Sequence, residues 1–140
     1  RKLIAERLQA DATLVAMLGN NKNWLKGGTL DKKWSIMPYD KVTERMAMPI
    51  VTVQSGVNNQ AGYKLVEDFF YLRCYNSVDK TYVTIDDVLL RVKVLLHRHR
   101  FDFTGSTSIE TLYESTGPEL RDDGYKLNFR EARIRLLRVE

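Results

Sequence analysis

Three stretches of the sequence predict an α+β domain in which an antiparallel sheet carries helices on one face. The first, Val66 to Tyr75, is rich in aromatic residues and alternates as a strand does: Phe70, Leu72 and Cys74 fall on one side, Phe69, Tyr71, Arg73 and Tyr75 on the other. The second, Ile85 to Leu96, sets Ile85, Val88, Leu89, Val92, Leu95 and Leu96 in one apolar stripe at helical spacing. The third, Tyr125 to Val139, alternates again, with Ala132, Ile134 and Leu136 opposed to Arg133 and Arg135. Two strands and a helix, each with an apolar face, need a common core.

Taken in order, residues 1–18 are helical, but one continuous helix would set Arg7 and Asp11 in the middle of the face made by Leu3, Ile4, Leu8, Leu14, Val15 and Leu18. A break at Ala10 resolves the conflict, with Asp11 as N-cap of a second helix, Ala12 to Leu18, and Gly19 as its left-handed C-cap, so the segment is two short helices or one kinked helix. Asn20 to Lys33 is rich in Gly and Lys and predicts a long exposed loop. Ser35 to Met37 predicts a short strand that Pro38 ends or holds at an edge. Met48 to Gln54 is a strand opened by proline, with Ile50, Thr52 and Gln54 facing one way and Val51 and Val53 the other. Ser55 to Lys64 is polar and joins this strand to Val66–Tyr75 as a long hairpin arm. The helix after it is expected to open at Thr84 as N-cap, with Asp87 completing a variant capping box. Asp86 and Asp87 then stand in its first turn and Arg98 and Arg100 in its last, as the macrodipole favours. Phe101 to Ser106 is a turn-rich exit. Ile109 to Ser115 and Tyr125 to Val139 are strands joined through Gly117-Pro118 or Asp122-Asp123-Gly124.

The chain's 140 residues suit one domain, residues 1–140, that buries about two thirds of its unfolded surface. Its 44% hydrophobic and 29% charged residues are ordinary for a globular protein, and no apolar run approaches the ~18 residues of a membrane span. The sequence starts at Arg1 without a signal-like segment, so the expected place is inside a cell or in a particle assembled there. Cys74, the single cysteine, leaves no internal disulfide and reads as a small buried hydrophobe. The net charge of +4 is dispersed along the chain and does not by itself name an anionic partner.

No constellation in the sequence carries catalysis. There is no Gly-x-Ser-x-Gly elbow, no Cys/His pair and no phosphate-binding glycine loop, and Glu119, Asp122 and Asp123 cluster where a hairpin turn expects aspartate. The expectation is a protein that is not an enzyme and that has no cofactor. His97 and His99, two apart on a helix, point in different directions and lack further ligands, so no metal is expected. The aromatic strand with Arg73 offers a stacking platform for single-stranded nucleic acid, but strand aromatics are more often core.

What remains is surface. Leu90 and Val94, four apart, lie opposite the main helical stripe, and Trp24 is costly to leave in water unless a partner covers it. The hairpin arm, with Val57, Asn58, Asn59, Tyr63 and Lys64, is expected to meet a neighbouring subunit. These eight residues are the candidate subunit and partner interface, and they favour an assembly component.

The pattern resembles the tail completion or tail terminator proteins of long-tailed bacteriophages. The similarity runs through Leu8-Gln9-Ala10-Asp11, Leu14 to Gly19, Ile36-Met37-Pro38, Met48 to Val53, Phe69 to Tyr75, Ile85 to Leu96, and Arg130 to Val139 after Asp122-Asp123-Gly124. Asn20 to Lys33 is longer than that pattern needs. The resemblance implies an α+β subunit of a virion, made in the host cytoplasm, that forms a hexameric ring at the head-proximal end of the tail. Such a ring stops growth of the tail tube, touches the major tail tube protein and the head–tail connector, and lets DNA through its lumen without specific binding. It supplies no catalytic residues. A head completion or stopper protein of the same neck is the alternative, and a sheet-based nucleic-acid-binding module a more distant one.

Overall fold

In the computed structural model, which describes residues 2–22, 30–38, 46–62, 64–78, 81–103, 106–124 and 126–139, Asp11 divides the N-terminal segment as its sequence requires. Helix α1 spans Lys2–Gln9 and α2 spans Ala12–Ala16, with the Asp11 carboxylate accepting the Leu14 N–H at 2.8 Å. Exit from α2 differs from expectation. Met17 caps it in right-handed backbone, and Gly19 is needed instead for close approach, since a Cβ there would stand 2.5 Å from the Ala47 carbonyl oxygen.

The expected loop from Asn20 to Lys33 is structured at both ends. Strand β1 (Asn21–Lys22) pairs antiparallel with β2 (Leu30–Asp31), and a 3₁₀ turn, Lys32–Ser35, follows. Asn21 is buried and explains this closure: its amide donates to Ser35 Oγ at 2.7 Å and to the Ala47 carbonyl at 2.9 Å, while its oxygen accepts the Ala47 N–H at 3.1 Å.

Strands β3 (Ile36–Pro38), β4 (Ile50–Gly62) and β5 (Leu65–Ser77) come next, then helix α3 (Val83–Leu96), and then β6 (Asp102–Phe103), β7 (Ser106–Thr116), β8 (Leu120–Asp122) and β9 (Leu127–Val139). The main sheet runs β3-β4-β5-β9-β7-β6, with β8 also on β9. Its pairings are antiparallel except β3 with β4, which is parallel and makes the sheet mixed. Pro38 ends β3 at the edge, where a missing N–H costs no ladder bond.

Ser55 to Lys64 is mostly strand. The hairpin continues through Asn58↔Asp68 and Gln60↔Val66 to Gly62↔Leu65, with register shifts after Ser55 and after Gln60. It is backed along its length, because β9 pairs with β5 out to Leu65↔Val139. The C-terminal turn falls at Asp122-Asp123-Gly124. Gly117-Pro118 is the break between β7 and β8, where the Gly117 N–H donates to Glu131 O.

Helix α3 begins earlier than expected. Tyr82 is its N-cap, without a side-chain cap bond, and Thr84 lies inside it. Its last turn carries Lys93 and not Arg98 or Arg100, because the chain turns at His97 and Arg98 takes a left-handed φ of 62°. The stripe Ile85, Val88, Leu89, Val92, Leu95 and Leu96 is buried in full. It meets Val51 and Val53 of β4, Phe70, Leu72 and Cys74 of β5, Tyr113 of β7 and Ala132, Ile134 and Leu136 of β9, with Ile4, Leu8 and Leu14 of the small helices closing the rim. The helices cover one face of the sheet, as the sequence predicts.

Candidate assembly surfaces

The sheet face away from α3 holds a second, smaller apolar cluster of Met37, Ile50, Tyr75, Leu127 and Phe129. Beside it lies a lattice of charges whose parts are set by strand alternation. Arg73 of β5 donates Nε to Glu131 of β9 at 2.6 Å, reaches the Tyr75 hydroxyl at 3.2 Å, and lies 4.8 Å from the centre of the Phe129 ring. Arg133 of β9 covers Phe69 at 4.3 Å and pairs with Glu114 at 3.2 Å. Arg135 pairs with Glu67 at 3.3 Å and meets Glu114 at 3.1 Å, the second contact lacking the alignment of a hydrogen bond.

Glu114 reaches two arginines because of a bulge. The β7–β9 register passes from Tyr113↔Ile134 to Ser115↔Arg133, leaving Glu114 as the extra residue, and a bulge re-aims the side chain it carries. The result is three arginines matched by three glutamates, so this face projects little net field. Phe69 and Tyr75 are buried at 5% and 4% exposure, so they are not free rings on this strand. Between Tyr71, Arg73, Pro118, Leu120, Phe129 and Arg133 runs a shallow groove.

Across the sheet, Leu90 and Val94 stand 62% exposed on the outer face of α3, and Val83, 64% exposed, joins them on the same line. At the end of the hairpin, Asn58 and Asn59 are exposed, and exposed Lys64 turns the chain at a φ of 61°. Val57 lies within β4. Trp24 and Tyr63 fall outside the described residues. Of the eight sequence-predicted interface residues, Leu90 and Val94 share a helix face, while Asn58, Asn59 and Lys64 mark the hairpin end.

Three polar arrangements escaped sequence reading. Asp11, besides capping α2, takes Arg91 of α3 in a two-point clamp at 2.9 and 2.8 Å, and the hydrogen bond from Arg91 holds its carboxyl below the usual carboxylate range. Arg130 binds the Gly117 carbonyl at 2.9 Å and Asp86 at 2.6 Å, tying α3 to the β7–β8 break. The third is the turn after α3. His97 Nδ1 accepts the Tyr113 N–H at 3.2 Å, and the His99 carbonyl accepts the Thr111 N–H at 3.1 Å, so this turn covers the outer edge of β7. The histidines thus have structural work. His99 sits edge-on to Phe101 at 4.6 Å, and burial, with Arg7 nearby, favours its neutral form. Among the described residues no three potential ligands gather around a metal site. Burial pushes the Cys74 thiol far above its usual range, which leaves it a packing residue.

No family model matches the sequence, and no curated protein does. Among solved structures, the fold is similar to that of a chain in a structure described as the virion of a native gene transfer agent (GTA) particle. The TM-score is 0.65 at 11% sequence identity, over 98% of this chain and 92% of that one. At that identity the likeness is one of fold.

Proposed function

We propose that this chain is a structural protein of a tailed virion or virion-like particle, and within it the ring that ends the tail tube and joins the tail to the head connector. The observation that carries the reading is the near end-to-end match in fold to a chain of a gene transfer agent virion, 98% of this chain against 92% of that one. The exposed apolar line on α3 agrees, since assembly would remove it from water.

In this reading Trp24, Leu90 and Val94 meet a neighbouring subunit, and Val57, Asn58, Asn59, Tyr63 and Lys64 of the hairpin meet the next subunit or the tube protein. Six copies closing head to tail is the arrangement that the family resemblance implies. DNA passes through the lumen without specific binding, and the compensated Arg–Glu lattice is the face suited to line it. Deleting the gene in a particle-producing host and imaging the lysate tests this. Loss of a terminator leaves tails of uncontrolled length beside filled heads. Tails of normal length with heads that lose their DNA would move the chain to the stopper position, and intact infectious particles would remove it from the neck.

A further inference from the structure

We infer that the free chain pairs with a second copy of itself through the outer face of α3, the two helices antiparallel and Leu90 facing Leu90 across a two-fold axis. The inference rests on reading this face as an assembly surface. Helix α3 has 14 residues, Val83–Leu96, and its midpoint falls between Leu89, which is buried, and Leu90, which is 62% exposed. Val83 and Val94 extend the apolar line one turn or two to either side of Leu90, on the same face.

Charge selects the occupant and its direction. Asp87 stands at the N-terminal end of this face and Lys93 near its C-terminal end, while Asp86 is held by Arg130. A second α3 laid parallel would set acid on acid and base on base. Laid antiparallel about Leu90, it sets each Asp87 opposite the partner's Lys93 and opposes the two helix dipoles. The surface is therefore complementary to itself in one direction only, as a two-fold contact requires. One helix face buries less than the ~800 Å² per partner of a standard interface, so the pair is weak and forms only as concentration rises. A two-fold contact cannot close a ring. The pair instead keeps the apolar line out of water until assembly displaces it.

Sedimentation velocity and native mass spectrometry of the whole chain, at rising concentration, test the pairing, with Leu90→Asp and Leu90→Lys as variants. Position 90 is exposed, so both should melt within a few degrees of the wild type; that control is read first. The wild type is expected to dimerise, and each variant alone to be monomeric, because at the axis Asp meets Asp and Lys meets Lys. An equimolar mixture of the two should form a heterodimer at concentrations where neither forms a homodimer. A wild type that stays monomeric to its solubility limit, a Leu90→Asp variant that dimerises like the wild type, or a mixture that stays monomeric would each overturn the inference. If the variants melt much lower, the wild-type dimer is probed by amide exchange, where protection of the α3 end amides on dimerisation supports the pairing and its absence refutes it. The gene-deletion phenotype is independent of these outcomes, so the pair and the virion reading can fail separately.

Discussion

Val92→Ala and Val94→Ala remove the same two methyl groups from the same helix, two residues apart, and the structure assigns them opposite outcomes. Val92 is 0% exposed and packs into the core, whereas Val94 is 62% exposed. Both substitutions gain about 0.5 kcal/mol of helix propensity, since alanine loses no side-chain rotamer freedom. For Val94 nothing opposes that gain, and the expected change lies between zero and about 0.5 kcal/mol of stabilisation. At Val92 the lost transfer energy is about 1.6 kcal/mol for two methyls, and a cavity of roughly 50 Å³ adds up to about 1.2 kcal/mol if the core does not relax. After the propensity gain, the net loss is about 1–2.5 kcal/mol. The difference between the variants cancels propensity and leaves burial alone, about 1.6–2.8 kcal/mol. For a domain of this length it should appear as a gap of roughly 5–12 °C in Tm, with unchanged urea m-values. Equal melting points would show that α3 does not present Val92 to the sheet, and the whole account of the core would fall with it.

Asp11→Ala should lose a helix cap worth about 1 kcal/mol as well as the Arg91 clamp, while Asp11→Asn keeps a cap and loses only charge. Because Arg91 depresses the folded-state pKa of Asp11, its charge contributes stability above the unfolded carboxylate value near ~3.9 and loses it as pH falls through the lower folded value. Wild type and Asp11→Asn should therefore differ in urea midpoint at neutral pH and converge in acid, and a constant gap across pH would refute the clamp. Gly19→Ala should destabilise strongly, because its Cβ meets the Ala47 backbone at 2.5 Å, whereas Gly56→Ala meets the Tyr71 ring, which can swing aside; comparable melting points for the two would contradict this. Binding to duplex DNA should be weak and without sequence preference, about 10⁻⁴–10⁻⁶ M at physiological salt. Nanomolar binding in a salt titration would sink the terminator reading and favour a nucleic-acid-binding module.

Periodicity carried the elements whose faces differ in polarity. The α3 stripe, the alternation of β5 and β9 and the break at Asp11 were all legible, because each rests on side chains within a few turns or one strand. Boundaries set by tertiary contacts were not. Thr84 has the right chemistry for a cap, but the helix starts at Val83 and Asp86 is engaged by Arg130, 44 residues away in sequence. That boundary also hid Val83 from the exposed apolar line, of which the sequence offered only Leu90 and Val94. Asn20 to Lys33 read as a loop because nothing local reveals that the Asn21 side chain bonds Ala47, 26 residues on. The parallel β3–β4 pair was equally hidden, since three residues of edge strand carry no sign of direction.

The charge lattice was the least legible feature, and its construction bears on what the uncovered face can do. Arg73 and Glu131 are 58 residues apart and Arg135 and Glu67 are 68 apart, so no local window pairs them. Dispersal of charge along the chain does not say which residues cancel. On this face the cation of one strand is set against the anion of the next by register, and Glu114 serves two arginines only because a bulge turns it. Each arginine head is also occupied, Arg73 by Glu131 and Phe129, Arg133 by Glu114 and Phe69. To bind a phosphate, such a guanidinium must first give up a partly buried carboxylate, which offsets the charge-assisted bond it would gain. A surface built this way resists anions without being acidic. In the proposed ring, a wall of this character would let a polyanion slide past, where an uncompensated arginine row would hold it.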